Sequence, residues 1–190
     1  MSASSETPQA AKGVLLLTLV ILFIASIYQL GVDNKDALGV SKEPVNTIGT
    51  YYNVTKVTDG DTVHVDIDGT DEKVRLIGIN TPETVDPRRP VQCFGKEASE
   101  RMKALAGGKI VRLETDPTQA QRDTYGRLLA YVYLEDGQML NRKMIAEGYA
   151  YEYTYLTPYK YQKEFRQLQT LAKTSSRGLW AAETCNGLKK

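Results

Sequence analysis

Apolar and polar positions alternate with a period of two over residues 51–58 and 62–67, and Val63, Val65 and Ile67 share one face of the second run. Asp68-Gly69 then gives a hairpin signal. A third strand is expected over 73–79, with Val74, Leu76 and Gly78 on one side and Arg75, Ile77 and Ile79 on the other. Thr81-Pro82 ends it, because proline offers no N–H to a ladder. The proline-bearing stretch 83–94 reads as a surface loop. Over 95–105 the rhythm changes: Ala98, Met102 and Leu105 recur at helical spacing, and Gly107-Gly108 stops the helix. Strands follow at 109–115 and 128–134, the latter alternating Leu128, Ala130, Val132 and Leu134. Asp136-Gly137 turns the chain into a short helix at 140–147 that ends at Gly148. A last helix at 158–173 has Tyr161, Phe165, Leu168 and Ala172 as its inward stripe. Five strands, one helix between the third and fourth, and two helices after the fifth form the pattern of an OB-fold barrel. The expected class is α+β, a five-stranded OB-fold barrel with three helices, over residues 50–187.

Ahead of this domain the pattern is different. After a short tail (1–12), residues 13–30 are apolar and carry no charge, which is the length of a short membrane span. The alternative is a cleaved signal peptide, but its apolar region is usually shorter and ends at small residues, and the sites after this run are poor for cleavage. The reading is therefore a single N-terminal transmembrane helix, with secretion after signal cleavage as the alternative. Lys12 precedes the run and Asp33 and Asp36 follow it, which places the domain outside the cytoplasm. Residues 31–49 read as a linker. Two cysteines, Cys93 and Cys185, are too few for a zinc cage. In an oxidising compartment they would form a disulfide; otherwise they are two buried thiols.

Charge narrows the functional classes. With 24 Lys+Arg against 23 Asp+Glu, the chain lacks the basic surplus of a protein that coats nucleic acid. An enzyme that grips one or two phosphates with placed arginines does not need that surplus. Three boxes supply such parts: Asp59-Gly60-Asp61-Thr62, the run from Arg75 to Asn80-Thr81-Pro82-Glu83, and Tyr125-Gly126-Arg127. Carboxylate and amide oxygens hold a hard cation. Arginines hold phosphate through planar, bidentate contacts, and a glutamate can activate water. Each residue also has a plain alternative. Asp61 would serve as a turn aspartate, Arg75 as a structural ion pair and Arg127 as a solvated strand-end cation. His64, the only histidine, reads as a surface residue without a catalytic part.

At these boxes, together with Gly95-Lys96-Glu97-Ala98 and Gly178-Leu179-Trp180, the chain resembles the staphylococcal (micrococcal) nuclease family, or thermonucleases, from about residue 51 to 186. The resemblance implies metal-assisted hydrolysis of phosphodiesters in DNA, with RNA as a second substrate to consider, leaving 3′-phosphate ends. It assigns Ca2+ to Asp61, Asn80 and the Thr81 carbonyl, phosphate and transition-state binding to Arg75 and Arg127, and water activation or positioning to Glu83. By register, Tyr153 and Tyr155 match the family's nucleotide-contacting pair, and Tyr125 joins them as a candidate for stacking on or bonding the nucleotide. The chain departs from the family at two places. Asn80 stands where aspartate is common, which should weaken the metal site, and Thr124 replaces a lysine seen in some members. Arg88-Arg89 could add charge from the loop. The chain is expected to act as a monomer. Two competing readings are a nuclease-like module that binds nucleic acid or protein without cutting, and an OB barrel for oligosaccharides or peptides. Neither needs Asp61, Arg75, Glu83 and Arg127 together.

Overall fold

The computed structural model describes residues 49–84 and 90–188. The apolar run at 13–30, the linker and the Arg88-Arg89 pair lie outside the described residues. Among the described residues no helix is long and apolar enough to cross a membrane.

The chain runs β1 (Tyr51–Asp59), β2 (Thr62–Ile67), β3 (Thr70–Leu76), β4 (Ile79–Asn80), α1 (Gly95–Ala106), β5 (Ile110–Glu114), β6 (Leu128–Leu134), α2 (Leu140–Ala146), β7 (Tyr151–Glu152), α3 (Gln162–Thr174) and a 3-10 turn, Gly178–Trp180. Five strands close into a barrel in the order β1-β2-β3-β6-β5. Its pairings are antiparallel except at the seam, where β3 and β6 run parallel through Val74–Leu128, Arg75–Leu129 and Leu76–Ala130. The β2–β3 hairpin turns on Asp68 and Gly69, both at positive φ, the geometry a two-residue primed turn requires. The expected barrel and its three helices are therefore present.

The third strand departs from expectation. It ends at Leu76 rather than 79, because Gly78 sits at φ 78°, a conformation open to glycine and strained for other residues. A Cβ there would also come within 2.6 Å of the Tyr159 ring. Beyond the break, β4 leaves the barrel and pairs with β7 through Ile79–Glu152 and Asn80–Tyr151. Two-residue strands leave no periodic trace, so this ribbon was not anticipated. The last helix also starts later than expected, at Gln162.

One apolar cluster joins the barrel valines (Val63, Val65, Val74, Val111 and Val132) to Met102 of α1, Leu140 and Met144 of α2 and Phe165 of α3. Two buried polar side chains lock the parts that carry the site. Asn141 on α2 accepts from the Val132 amide (3.0 Å) and donates to the Ile77 carbonyl (2.8 Å), fixing the turn after β3. Asp116 accepts from the Tyr131 hydroxyl, the Lys160 amide and the Thr118 amide and hydroxyl at 2.7–2.9 Å. Burial raises its pKa, but these donors outweigh burial and hold the carboxyl below the usual range.

Candidate active site

The break at Gly78 brings the end of β3, the short β4 and the start of β2 to one rim of the barrel. Asp61, 6% exposed, stands at the entry to β2. Its Oδ2 accepts from the Thr81 amide (2.8 Å) and hydroxyl (3.1 Å), and its Oδ1 accepts from the Thr62 hydroxyl (3.0 Å). Gly60 permits this approach, since a Cβ there would lie 2.7 Å from Thr81 Cγ2. Asp61 and Thr81, twenty residues apart in sequence, are thus in direct contact.

Arg75 joins Asp61 to Asn80. Its Nη1 donates to the carbonyls of Leu76 and Ile79, each at 2.9 Å. Its Nη2 lies 3.3 Å from Asn80 Oδ1 and 3.2 Å from Asp61 Oδ2. The plain alternative for Arg75, a structural ion pair, is therefore realised. It does not exclude a second task, because Arg75 also lines the adjoining cleft.

Asp59 has more weight than its turn position suggested. Its Oδ1 accepts from the Asp61 amide at 3.0 Å. Burial, and then repulsion from the Asp61 carboxylate, push its carboxyl up to about 7. Two crowded carboxylates, with the Asn80 amide oxygen held on the same guanidinium nitrogen as Asp61, are oxygen donors of the chemistry that suits a hard divalent cation. Among the described residues no three His, Cys, Asp or Glu side chains cluster as a metal cage. Any cation at this rim would therefore depend on the neutral oxygens of Asn80 and Thr81 and on water.

Arg127, from the other side of the seam, lines a cleft together with Arg75 and Asn80. Asp123 Oδ2 takes its Nε and Nη2, both at 2.6 Å, and Asp123 Oδ1 takes the amides of Tyr125 (2.9 Å) and Arg127 (3.0 Å). The guanidinium lies 5.4 Å from the centre of the Tyr125 ring. Arg75, Asn80, Arg127, Tyr125, Tyr153 and Tyr155 all line one cleft of about 720 Å³. Tyr125 and Tyr155 are 83% and 67% exposed, an unusual state for large aromatics. The Tyr153 and Tyr155 rings lie 6.4 Å apart.

Glu83 is not among the cleft-lining residues. Gln92 holds its backbone: the Glu83 amide donates to Gln92 Oε1 (2.8 Å), and the Glu83 carbonyl accepts from the Gln92 amide (2.9 Å). Its own Oε1 accepts from the Thr84 amide (2.9 Å). Cys93 and Cys185 form a disulfide.

The sequence assigned no role to three contributors. Asp123 could have been found, since aspartate three residues before glycine is a turn signature. Arg122, which lines the cleft while paired to Glu72 at 2.8 and 2.9 Å, carried no such signal. Gln92 carried none either. His64 lies on the β1–β3 surface outside the cleft lining, with Nδ1 2.7 Å from Asp71 Oδ2 and Nε2 3.1 Å from the Thr58 hydroxyl.

The family model described as "Staphylococcal nuclease homologue" matches residues 73–182. The chain is 39% identical over 168 residues to a thermonuclease of Staphylococcus hyicus, covering 87% of this chain and 98% of that protein. It is 41% identical over 168 residues to a thermonuclease of Staphylococcus intermedius, covering 88% and 95%. It is also 39% identical over 132 residues to the endonuclease YncB of Bacillus subtilis, covering 68% and 62%.

Proposed function

The chain belongs to the staphylococcal nuclease family, and from that premise we propose that this phosphodiester-hydrolysing nuclease is a calcium-dependent endonuclease of low sequence specificity. Its substrates are DNA and, secondarily, RNA, and its products carry 3′-phosphate ends. The observation that carries the reading is a cleft lined by both Arg75 and Arg127 and by exposed tyrosines.

The residues divide the work as follows. Asp123 takes Nε and Nη2 of Arg127, leaving Nη1 without a partner among the described residues and available to an anion in the cleft. Asp61 and Asn80 hold Arg75. Both guanidinium groups are thus oriented before substrate arrives, which is the condition for electrostatic stabilisation of a pentacoordinate phosphoryl group. Tyr125, Tyr153 and Tyr155 offer base-stacking faces that tolerate any sequence. Glu83 deprotonates or orients the attacking water. Asp61, Asn80 and the Thr81 carbonyl, with Asp59 beside them, would hold calcium, which when bound supplies Lewis-acid charge to a phosphoryl oxygen. Full-length protein should nick single- and double-stranded DNA with calcium and not with a chelator. Inactivity with calcium would overturn the reading, and 5′-phosphate ends would overturn the product assignment.

Asn80 contributes an oxygen but no charge, so calcium should bind weakly, at about 10⁻⁴–10⁻³ M, the range of extracellular modules. Asn80→Asp is expected to lower the calcium concentration for half-maximal cleavage, with less effect on the rate at saturation. If calcium titrations of the two proteins overlay, Asn80 is not a ligand.

The apolar run at 13–30 and the Cys93–Cys185 disulfide support a membrane-tethered domain outside the cytoplasm. Protease added to intact cells should reach the domain; protection there would reverse the topology.

A further inference from the structure

Residues 81–84, which include Glu83, lie outside the strands and helices, yet this stretch and residues 92–94 are tied to one small apolar cluster. The cluster contains Tyr151, Leu179 and Cys185, with Cys93, Phe94 and Trp180 packed against it. At one end Tyr151 pairs with Asn80, three residues before Glu83. At the other, Cys93 is bonded to Cys185, and Gln92, its immediate neighbour, holds both the amide and the carbonyl of Glu83. The carbonyl of Gln92 also accepts from the Gly95 amide at 3.0 Å, which joins this pairing to the first turn of α1. Gly95 lets the two segments close. A Cβ there would lie 3.0 Å from the Glu83 carbonyl oxygen and 3.2 Å from that of Pro82. The far end of the bridge is fixed as well: the Gly187 amide donates to the Leu179 carbonyl (2.8 Å), and the Leu179 amide to the Gly148 carbonyl (2.9 Å).

We propose that the Cys93–Cys185 bridge, acting through Gln92, is a positioning device that sets Glu83 at its working place; this rests on the catalytic reading of Glu83 given above. Gln92 is the positioning residue, and the bridge fixes Gln92. A backbone shift of about 1 Å at a catalytic group costs on the order of 10²-fold in rate. Loss of either part is therefore felt in turnover rather than in substrate binding, which the cleft arginines and tyrosines govern.

The test compares three forms of the full chain: Gln92→Ala with the bridge intact, C93S/C185S, and the triple variant. A fourth arm reduces the wild type with a dithiol, which passes two electrons and two protons to the bridge and closes to its own cyclic disulfide. Turnover is measured below the melting temperature of each form. Gln92→Ala and bridge loss should each lower kcat by about 10- to 100-fold. KM for the oligonucleotide should stay within about threefold, because no cleft contact changes. The triple variant should be no slower than the slower of its parents, because both changes act on one residue's placement. Amide hydrogen exchange at Glu83 should accelerate in every form. If the bridge-less forms fail to fold, Gln92→Ala decides alone. Wild-type kcat in Gln92→Ala, or additive losses in the triple variant, would overturn the proposal provided that Glu83→Gln itself abolishes turnover. If Glu83→Gln cleaves normally, the catalytic reading of Glu83 fails instead. Glu83 exchange then decides the brace: acceleration in Gln92→Ala sustains it, and unchanged exchange removes it.

Discussion

Arg127→Ala should reduce turnover by about 10²–10³-fold while leaving the melting temperature nearly unchanged, since removal of one preorganised charge contact has that effect in comparable electrostatic sites. The structure explains why activity and stability separate here. Arg127 is partly exposed and bonds only Asp123 among the described residues, and Asp123 still caps the turn through Oδ1 when the guanidinium is gone. Arg75 offers no such separation. Its removal would leave the buried Asp61 without its cation and free two carbonyls of the β3–β4 turn. Breaking a buried pair in that way costs about 3–5 kcal/mol. Steady-state kinetics alongside thermal melts of both variants would test the contrast. Wild-type cleavage by Arg127→Ala would remove it from the mechanism.

The second large effect concerns stability. Cys93 and Cys185 are separated by 92 positions. In the chain-entropy model a loop of that length restrains the unfolded chain by about 4–5 kcal/mol, with any native strain subtracting from it. That is a large share of the 5–15 kcal/mol typical of a domain. Denaturant titration of oxidised and reduced protein should show the midpoint move by a corresponding amount, and coincident curves would show that the bridge restrains nothing.

Much of the barrel was legible because its strands are long enough for alternation to register. Val63 and Val65, or Ala130 and Val132, repeat inward at a spacing no helix would use. The legible part of the site was the part whose chemistry is local in sequence, the Asp59–Thr62, Arg75–Glu83 and Tyr125–Arg127 boxes. What escaped was relational. Val74 to Ile79 is apolar at nearly every position, so it reads as one strand; only the positive φ of Gly78, where the Tyr159 ring leaves no room for a Cβ, divides it. The task of Gln92 depends on a partner nine residues away across a loop. The partners of Arg75 lie on two other segments. The raised pKa of Asp59 arises from burial and from a neighbouring carboxylate whose direction the sequence does not state.

The parallel seam has a consequence for the order in which the protein comes into being. Strands β1 to β3 are hairpin neighbours and can pair as soon as they are made, whereas β6 must return across more than fifty residues to lie beside β3. Non-local closures of this kind are the slow steps of folding. Arg75 lies in that seam opposite Leu129, two residues beyond Arg127, so the arginine pair proposed to bind phosphate does not exist on either side of the seam alone. A nascent chain that has released only its first half therefore carries Asp61, Arg75 and Asn80 but not Arg127. The ability to cut is thus a late property of the chain, acquired with closure of the barrel, and a cell making this nuclease would be spared its activity for as long as the seam stays open.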